Sequence, residues 1–179
     1  MRREEGLMIE RAADLRRAFD ETFSEPPAGA AEGTESLLAL RAGGEAYAVR
    51  LAEITGLFTD RTVVRLPSSV SEFLGVAGIR RDVVPIYSLR SLLGHERGGD
   101  PPRWLITARA AHPVAFAFEQ FEGYLQVSPS AVLPRDEAAS APVPGTLRLA
   151  DGVRGVLSIG SLLKTIEDRI RRIGATKEQ

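Results

Sequence analysis

The chain has 179 residues, 44% of them apolar and 26% charged, with 23 basic residues against 24 acidic ones and no cysteine. That apolar share suits one ordinary domain, or two small ones with a common core, and is too high for wholesale disorder. A net charge of −1 offers no global attraction to nucleic acid or an anionic membrane, and the lack of cysteine removes disulfides, thiolate nucleophiles and thiolate metal sites.

Residues 4–23 alternate charges around a stripe of Met8, Ala12, Leu15 and Phe19, the pattern of a narrow amphipathic helix. One such stripe is marginal alone in water, so this helix is expected to dock or to fray. The start has no apolar core of the signal-peptide kind, and no later run approaches a span of about 18 apolar residues. A cytoplasmic protein with no direct membrane insertion is therefore expected. Residues 24–35, SEPPAGAAEGTE, read as a linker, which makes residues 1–35 a helix and linker ahead of the main domain.

Short strands follow. Ser36 to Ala42 and Glu45 to Leu51 flank Gly43-Gly44, a dipeptide suited to the positive φ angles of a tight hairpin. Thr55 to Leu66 is a further extended stretch. Val76 to Ile79 and Val83 to Ile86 then enclose Arg80-Arg81-Asp82, too charged to bury, and so predict a hairpin with an arginine tip. Ser88 as N-cap, Leu89, Leu92 and Leu93, and a closing Gly94 describe about one and a half turns of helix. His95 to Pro102 is a loop, and Arg103 to Arg109, Pro113 to Glu119 and Gly123 to Val127 are strand candidates. Ser128 to Pro144 reads as a long surface connection. Thr146 to Ala150 and Val153 to Ser158 flank Asp151-Gly152, a strong hairpin signal. Residues 161–173 are helical, with Leu162, Leu163, Ile166, Ile170 and Ile173 on one side and Gly174 as the expected cap. About nine or ten short strands without long intervening helices favour antiparallel barrels over a doubly wound sheet.

Chemistry is poorly represented. His95 and His112 sit among loop residues with no carboxylate at metal-ligand spacing, no GxxxxGK[ST] phosphate loop occurs, and Val156 to Gly160 lacks the first glycine of a nucleophile elbow. The carboxylates fall singly on different elements, and the aromatics occupy apolar strand positions, where core packing explains them better than base stacking. No enzyme, metal or cofactor is expected, and the function is expected to lie in surfaces.

The stretch from Phe73 to Gly94, FLGVAGIRRDVVPIYSLRSLLG, resembles the signature of the CheW family of chemotaxis coupling proteins, GVxNLRGxxxPxxDLRxxLG. Gly75, Val76, Ile79, Arg80, Pro85, Leu89, Arg90, Leu93 and Gly94 agree with it. Gly78 stands for the usual asparagine, Arg81 for glycine and Ser88 for aspartate, and Gly56 stands where many members carry glutamate. The resemblance implies two SH3-like five-stranded β-barrels over residues 36–165, one from about 45–94 and the other from about 103–158 with the strand at 36–42, followed by the helix at 161–173. It further implies a non-enzymatic scaffold whose partners are the regulatory domain of a CheA-type histidine kinase and the cytoplasmic tip of a methyl-accepting chemoreceptor. Partner contact is then expected at Ile54, Gly56 and Leu57 in the third strand and at Gly78, Ile79, Arg80 and Arg81 around the hairpin tip. Two other readings compete: a divergent adaptor that has lost one standard contact and binds another signalling partner, and a small β-barrel enzyme or nucleic-acid binder.

Overall fold

A computed structural model describes residues 33–96, 98–135 and 141–176. The helix expected over residues 4–23 and most of the linker after it lie outside the described residues. Eleven strands and two α-helices follow in the order β1 (Glu35–Ala42), β2 (Glu45–Arg50), β3 (Ile54–Thr59), β4 (Phe73–Ile79), β5 (Asp82–Ser88), α1 (Leu89–Leu92), β6 (Trp104–Ala108), β7 (Ala115–Phe118), β8 (Gln120–Val127), β9 (Val132–Pro134), β10 (Gly145–Leu149), β11 (Gly152–Leu157) and α2 (Ile159–Thr176). They make two mixed sheets, one of six strands in the order β8-β1-β2-β11-β10-β9 and one of five in the order β3-β6-β7-β5-β4.

Each sheet curls on itself. The chain leaving β3 turns at Asp60 and returns to bridge Val64 to Val76 of β4, with backbone hydrogen bonds of 2.8 and 2.9 Å, so the two edges of the five-stranded sheet are brought together. In the other sheet a single 3₁₀ turn, Pro129–Ala131, carries the chain from one edge, β8, directly to the other, β9. The local turn chemistry follows the residues. Gly43 and Gly44 both take positive φ (63° and 87°) between β1 and β2, as a two-residue hairpin requires.

The expected division of strands between barrels differs from the observed one. β2 pairs with β1 and, in parallel, with β11, so it belongs to the six-stranded sheet and not with the residues at 54–88. β6 and β7 join the five-stranded sheet, where β7 lies parallel to β5. Both parallel pairings join strands far apart in sequence, which no local signal encodes. Within the stretch taken as a connection, Val132–Pro134 forms β9. Gly174 does not end the last helix, which continues to Thr176.

Alternation along β1 explains the layering. Leu37 faces the interior of the six-stranded sheet with Ala48, Leu147 and Val156, while Leu38 and Leu40 face the other way into a core that both sheets share. Ala77, Ile79, Val84, Ile86, Leu105, Ala115 and Ala117 fill the five-stranded sheet. The shared core takes Phe116 and Phe118 from the five-stranded sheet, Val49 and Leu157 from the six-stranded sheet, and Leu89, Leu162 and Ile166 from the helices. Helix α2 is held at both ends of its contact. Glu53 Oε2 accepts from the Ile159 N–H (2.7 Å) and Ser158 Oγ from the Ser161 N–H (3.2 Å). Further along, Arg169 pairs with Glu72, which is 5% exposed and also accepts from Ser71 Oγ at 2.8 Å.

Candidate partner-binding site

The predicted hairpin tip forms, with two residues in its turn. Ile79 pairs with Asp82, leaving Arg80 and Arg81 at the apex, and Arg80 takes a left-handed conformation with φ of 57°. Only glycine adopts this without strain, so Arg80 stores about 1 kcal/mol. Gly78 lies within β4 opposite Val83. Arg80 and Asp82 stand at an open groove of about 290 Å³, together with Thr55, Phe58, Ile79 and Val84, where the interior of the five-stranded sheet reaches solvent.

Strand β3 supplies the other expected residues, but not as a regular strand. Ile54 pairs with Ala108 and Gly56 with Thr107, so Thr55 is an extra, bulged residue whose hydroxyl donates to Thr107 Oγ1 at 2.9 Å. The bulge shifts side-chain parity. Ile54 and Leu57, three apart, consequently face the same shared core. Ile54 is 6% exposed and packs in the shared core, while Ile79, also buried, packs within the five-stranded sheet and lines the groove beside Arg80. Leu57 is half-buried at the margin of that core. The space above Gly56 is filled. A Cβ there would stand 2.7 Å from the Phe58 ring, which folds over the glycine and carries Arg61 on its face at 5.4 Å.

Beside Leu57 lies a feature the sequence did not announce. Trp104 of β6 meets Phe121 of β8 with ring centroids 5.3 Å apart, and Phe121 meets Tyr124 at 5.2 Å. Trp104 belongs to the five-stranded sheet and the other two to the six-stranded one, so the three rings form a ladder leading from the shared core to solvent between the sheets. Its outer rung, Tyr124, is 61% exposed. A second bulge builds it. Ala39 pairs with Gly123 and Leu40 with Phe121, leaving Glu122 extra, and this places Phe121 and Tyr124, again three apart, on one face.

Glu122 is turned to the opposite side. There it bonds Arg41 Nε (2.7 Å) and Arg154, whose other arm reaches Asp151 Oδ2 at 2.9 Å. Burial alone would raise the Glu122 pKa, but the hydrogen bonds and charges of Arg154 and Arg41 outweigh it and hold the carboxyl below its ordinary value.

The two histidines have ordinary structural places. His95 Nε2 is hydrogen-bonded to the Tyr47 hydroxyl (2.7 Å) and its ring covers Gly43, while His112 is an exposed loop residue. Burial raises the Tyr47 pKa. Among the described residues no group of three or more His, Asp or Glu side chains could hold a metal ion, and no helix is long and apolar enough to cross a membrane.

Comparisons with known proteins agree with this fold. The model of the CheW-like domain family matches residues 36–167. The crystal structure of the scaffolding protein TtCheW from Thermoanaerobacter tengcongensis superposes with a TM-score of 0.64, covering 72% of this chain and 91% of that one at 14% identity, a likeness of fold. Among curated protein sequences, none matches.

Proposed function

Because this chain belongs to the CheW-like domain family, we propose that it is a non-enzymatic cytoplasmic scaffold that couples a chemoreceptor to a CheA-type histidine kinase in bacterial chemosensory signalling. The family is one of chemotaxis adaptors, and the solved relative of like fold is itself named a scaffolding protein. The observation that carries the receptor half of the reading is the ladder of Trp104, Phe121 and Tyr124 opening between the two sheets. A receptor tip is a helical rod, and a helix about 10 Å across is gripped by an apolar groove with polar anchors at its margin. Tyr124 offers a large apolar ring with a hydroxyl handle, the kind of side chain that dominates binding energy. Leu57 continues the apolar floor, and Arg80 and Arg81 supply bidentate anchors for carbonyl or carboxylate oxygens.

Gly56, Gly78 and Arg81 set this chain apart from the usual signature, so its partner preference is read as specialised. At Gly56 the departure has a physical basis, since the Phe58 ring fills the space a longer residue would need.

The test is calorimetry with a soluble receptor-tip fragment and with the regulatory domain of a CheA-type kinase. Both are expected to bind at micromolar affinity or tighter. Tyr124→Ala, at an exposed ring, should weaken the receptor fragment by about 2 kcal/mol, roughly thirtyfold, and leave kinase binding alone. Unchanged receptor affinity would remove the ladder from the site, and failure to bind either protein would leave the fold serving another partner.

A further inference from the structure

One residue, Glu119, joins the two sheets where the aromatic ladder crosses between them. Strand β7 of the five-stranded sheet ends at Phe118 and β8 of the six-stranded sheet begins at Gln120, so Glu119 is the whole connection. The inner rung of the ladder lies on either side of it. Trp104 is the register partner of Phe118, one residue before Glu119, and Phe121 comes two residues after it. The backbone closes the same corner, for the Arg103 N–H donates to the Phe118 carbonyl at 3.1 Å. With Trp104 tied to Phe118, the direction in which the chain leaves Glu119 decides how closely Phe121 approaches the indole.

The Glu119 carboxylate is held at both oxygens. Oε1 lies 2.9 Å from Arg90 Nε of α1, in an ion pair whose side chains are only 12% and 13% exposed. Oε2 accepts from the Gly43 N–H at 3.0 Å. Gly43 belongs to the turn between β1 and β2 of the six-stranded sheet, whereas α1 follows directly from β5 of the five-stranded one, so a single carboxylate ties the crossover to both sheets. Arg90 is confined in turn, since a Cβ on Gly99 would stand 2.9 Å from its Nη2. An ion pair this buried contributes little net stability, because desolvation offsets the attraction, but it specifies its geometry closely.

We propose that Glu119 is the positioning residue of the aromatic ladder: the clamp of Arg90, Glu119 and Gly43 sets the angle between the sheets at this corner, and through it the 5.3 Å approach of the Phe121 ring to Trp104. Glu119 acts through the rings and touches no partner. Its consequence for receptor binding rests on the reading of the ladder given above, whereas the ring geometry is measured without a receptor.

Trp104 is the only tryptophan in the chain, so its emission and its indole N–H resonance report the inner rung alone. Glu119→Gln keeps an acceptor for the Gly43 N–H and removes the charge facing Arg90, and Arg90→Gln breaks the pair from the other side, so either variant decides the question if the other fails to fold. Two references bracket the signal. Phe121→Leu shows the indole without its neighbouring ring, and Leu147→Ala, in the separate core of the six-stranded sheet, shows a destabilised chain with the corner intact. Glu119→Gln and Arg90→Gln are each expected to move both indole signals toward those of Phe121→Leu, the double variant no further than either, while Leu147→Ala stays at the native position. Affinity for the receptor fragment should fall at least about threefold in the same variants and not in Leu147→Ala. Indole signals that stay native in the folded variants, or that move equally in Leu147→Ala, would overturn the assignment and leave Glu119 a structural ion pair. A moved indole with unchanged receptor affinity would uphold Glu119 as the positioning residue and take the ladder out of the receptor site.

Discussion

Replacing Arg80 by glycine should make the protein more stable and a worse binder. Arg80 holds φ of 57° at the apex of the β4–β5 turn, where a Cβ costs about 1–2 kcal/mol. Glycine removes that cost and adds about 0.5–1 kcal/mol of freedom to the unfolded chain. Arg80 has no ion pair to lose among the described residues, so the net gain is about 0.5–1 kcal/mol. For a domain of this size that is a rise of about 1–4 °C in melting temperature, or a parallel shift of the urea midpoint at constant slope. Arg80→Ala keeps the strained Cβ and should be close to neutral. Both variants delete the guanidinium, and both should weaken the receptor fragment by about 2 kcal/mol. Stability rising in the glycine variant alone, with affinity falling in both, identifies a residue whose backbone strain is kept for binding. If the glycine variant is less stable than the native chain, the strain argument is wrong. If the alanine variant binds normally, Arg80 is a solvated turn charge.

Gly56→Ala should destabilise by about 1–3 kcal/mol, because the added methyl displaces the Phe58 ring, and urea unfolding would show it. Leu162→Ala removes a fully buried side chain from the core shared by both sheets, so a loss of about 2–5 kcal/mol should appear as one lowered transition and not as two. Gly43→Ala combines a positive φ of 63° with collision against the His95 ring and should cost about 2 kcal/mol, with Tyr47→Phe relieving none of it.

Much of the fold is legible because its hairpins are local. Gly43-Gly44 and Asp151-Gly152 each state a turn type, and the strands on either side fall where the turns place them. The arginine tip was equally readable, since two apolar runs leave no other place for three charges. The division of strands between sheets was not, because β2 with β11 and β5 with β7 pair in parallel across long separations that sequence order misrepresents. Gly174 illustrates a weaker signal: a glycine costs a helix about 1 kcal/mol and does not oblige it to stop. The geometry of the candidate site was legible only in part. Family resemblance pointed to β3 and the tip, yet period-two reasoning cannot tell that Ile54 is core or that Phe121 and Tyr124 share a face. A bulge adds one residue and reverses every assignment beyond it.

The bulge at Glu122 therefore carries the aromatic ladder, and it is anchored by charge. With Glu122 bound between Arg41 and Arg154, its backbone is fixed in the geometry that lets Phe121 and Tyr124 project together. Glu122→Gln weakens both charge-assisted bonds in a site only partly open to water, and should cost about 2 kcal/mol of stability. It should also reduce receptor affinity although Glu122 points away from the rings, because the ladder loses its brace. The pH dependence supplies the sign. The folded carboxyl titrates below its ordinary value of 4.5, so its contribution is complete above about pH 4.5 and is lost as pH falls through the lowered value. The native chain should thus exceed the glutamine variant by a constant margin at neutral pH, and the margin should shrink on acidification. A margin that stays constant down to pH 3 would mean that the charge of Glu122 does not hold the bulge, and the ladder would then rest on ring packing alone.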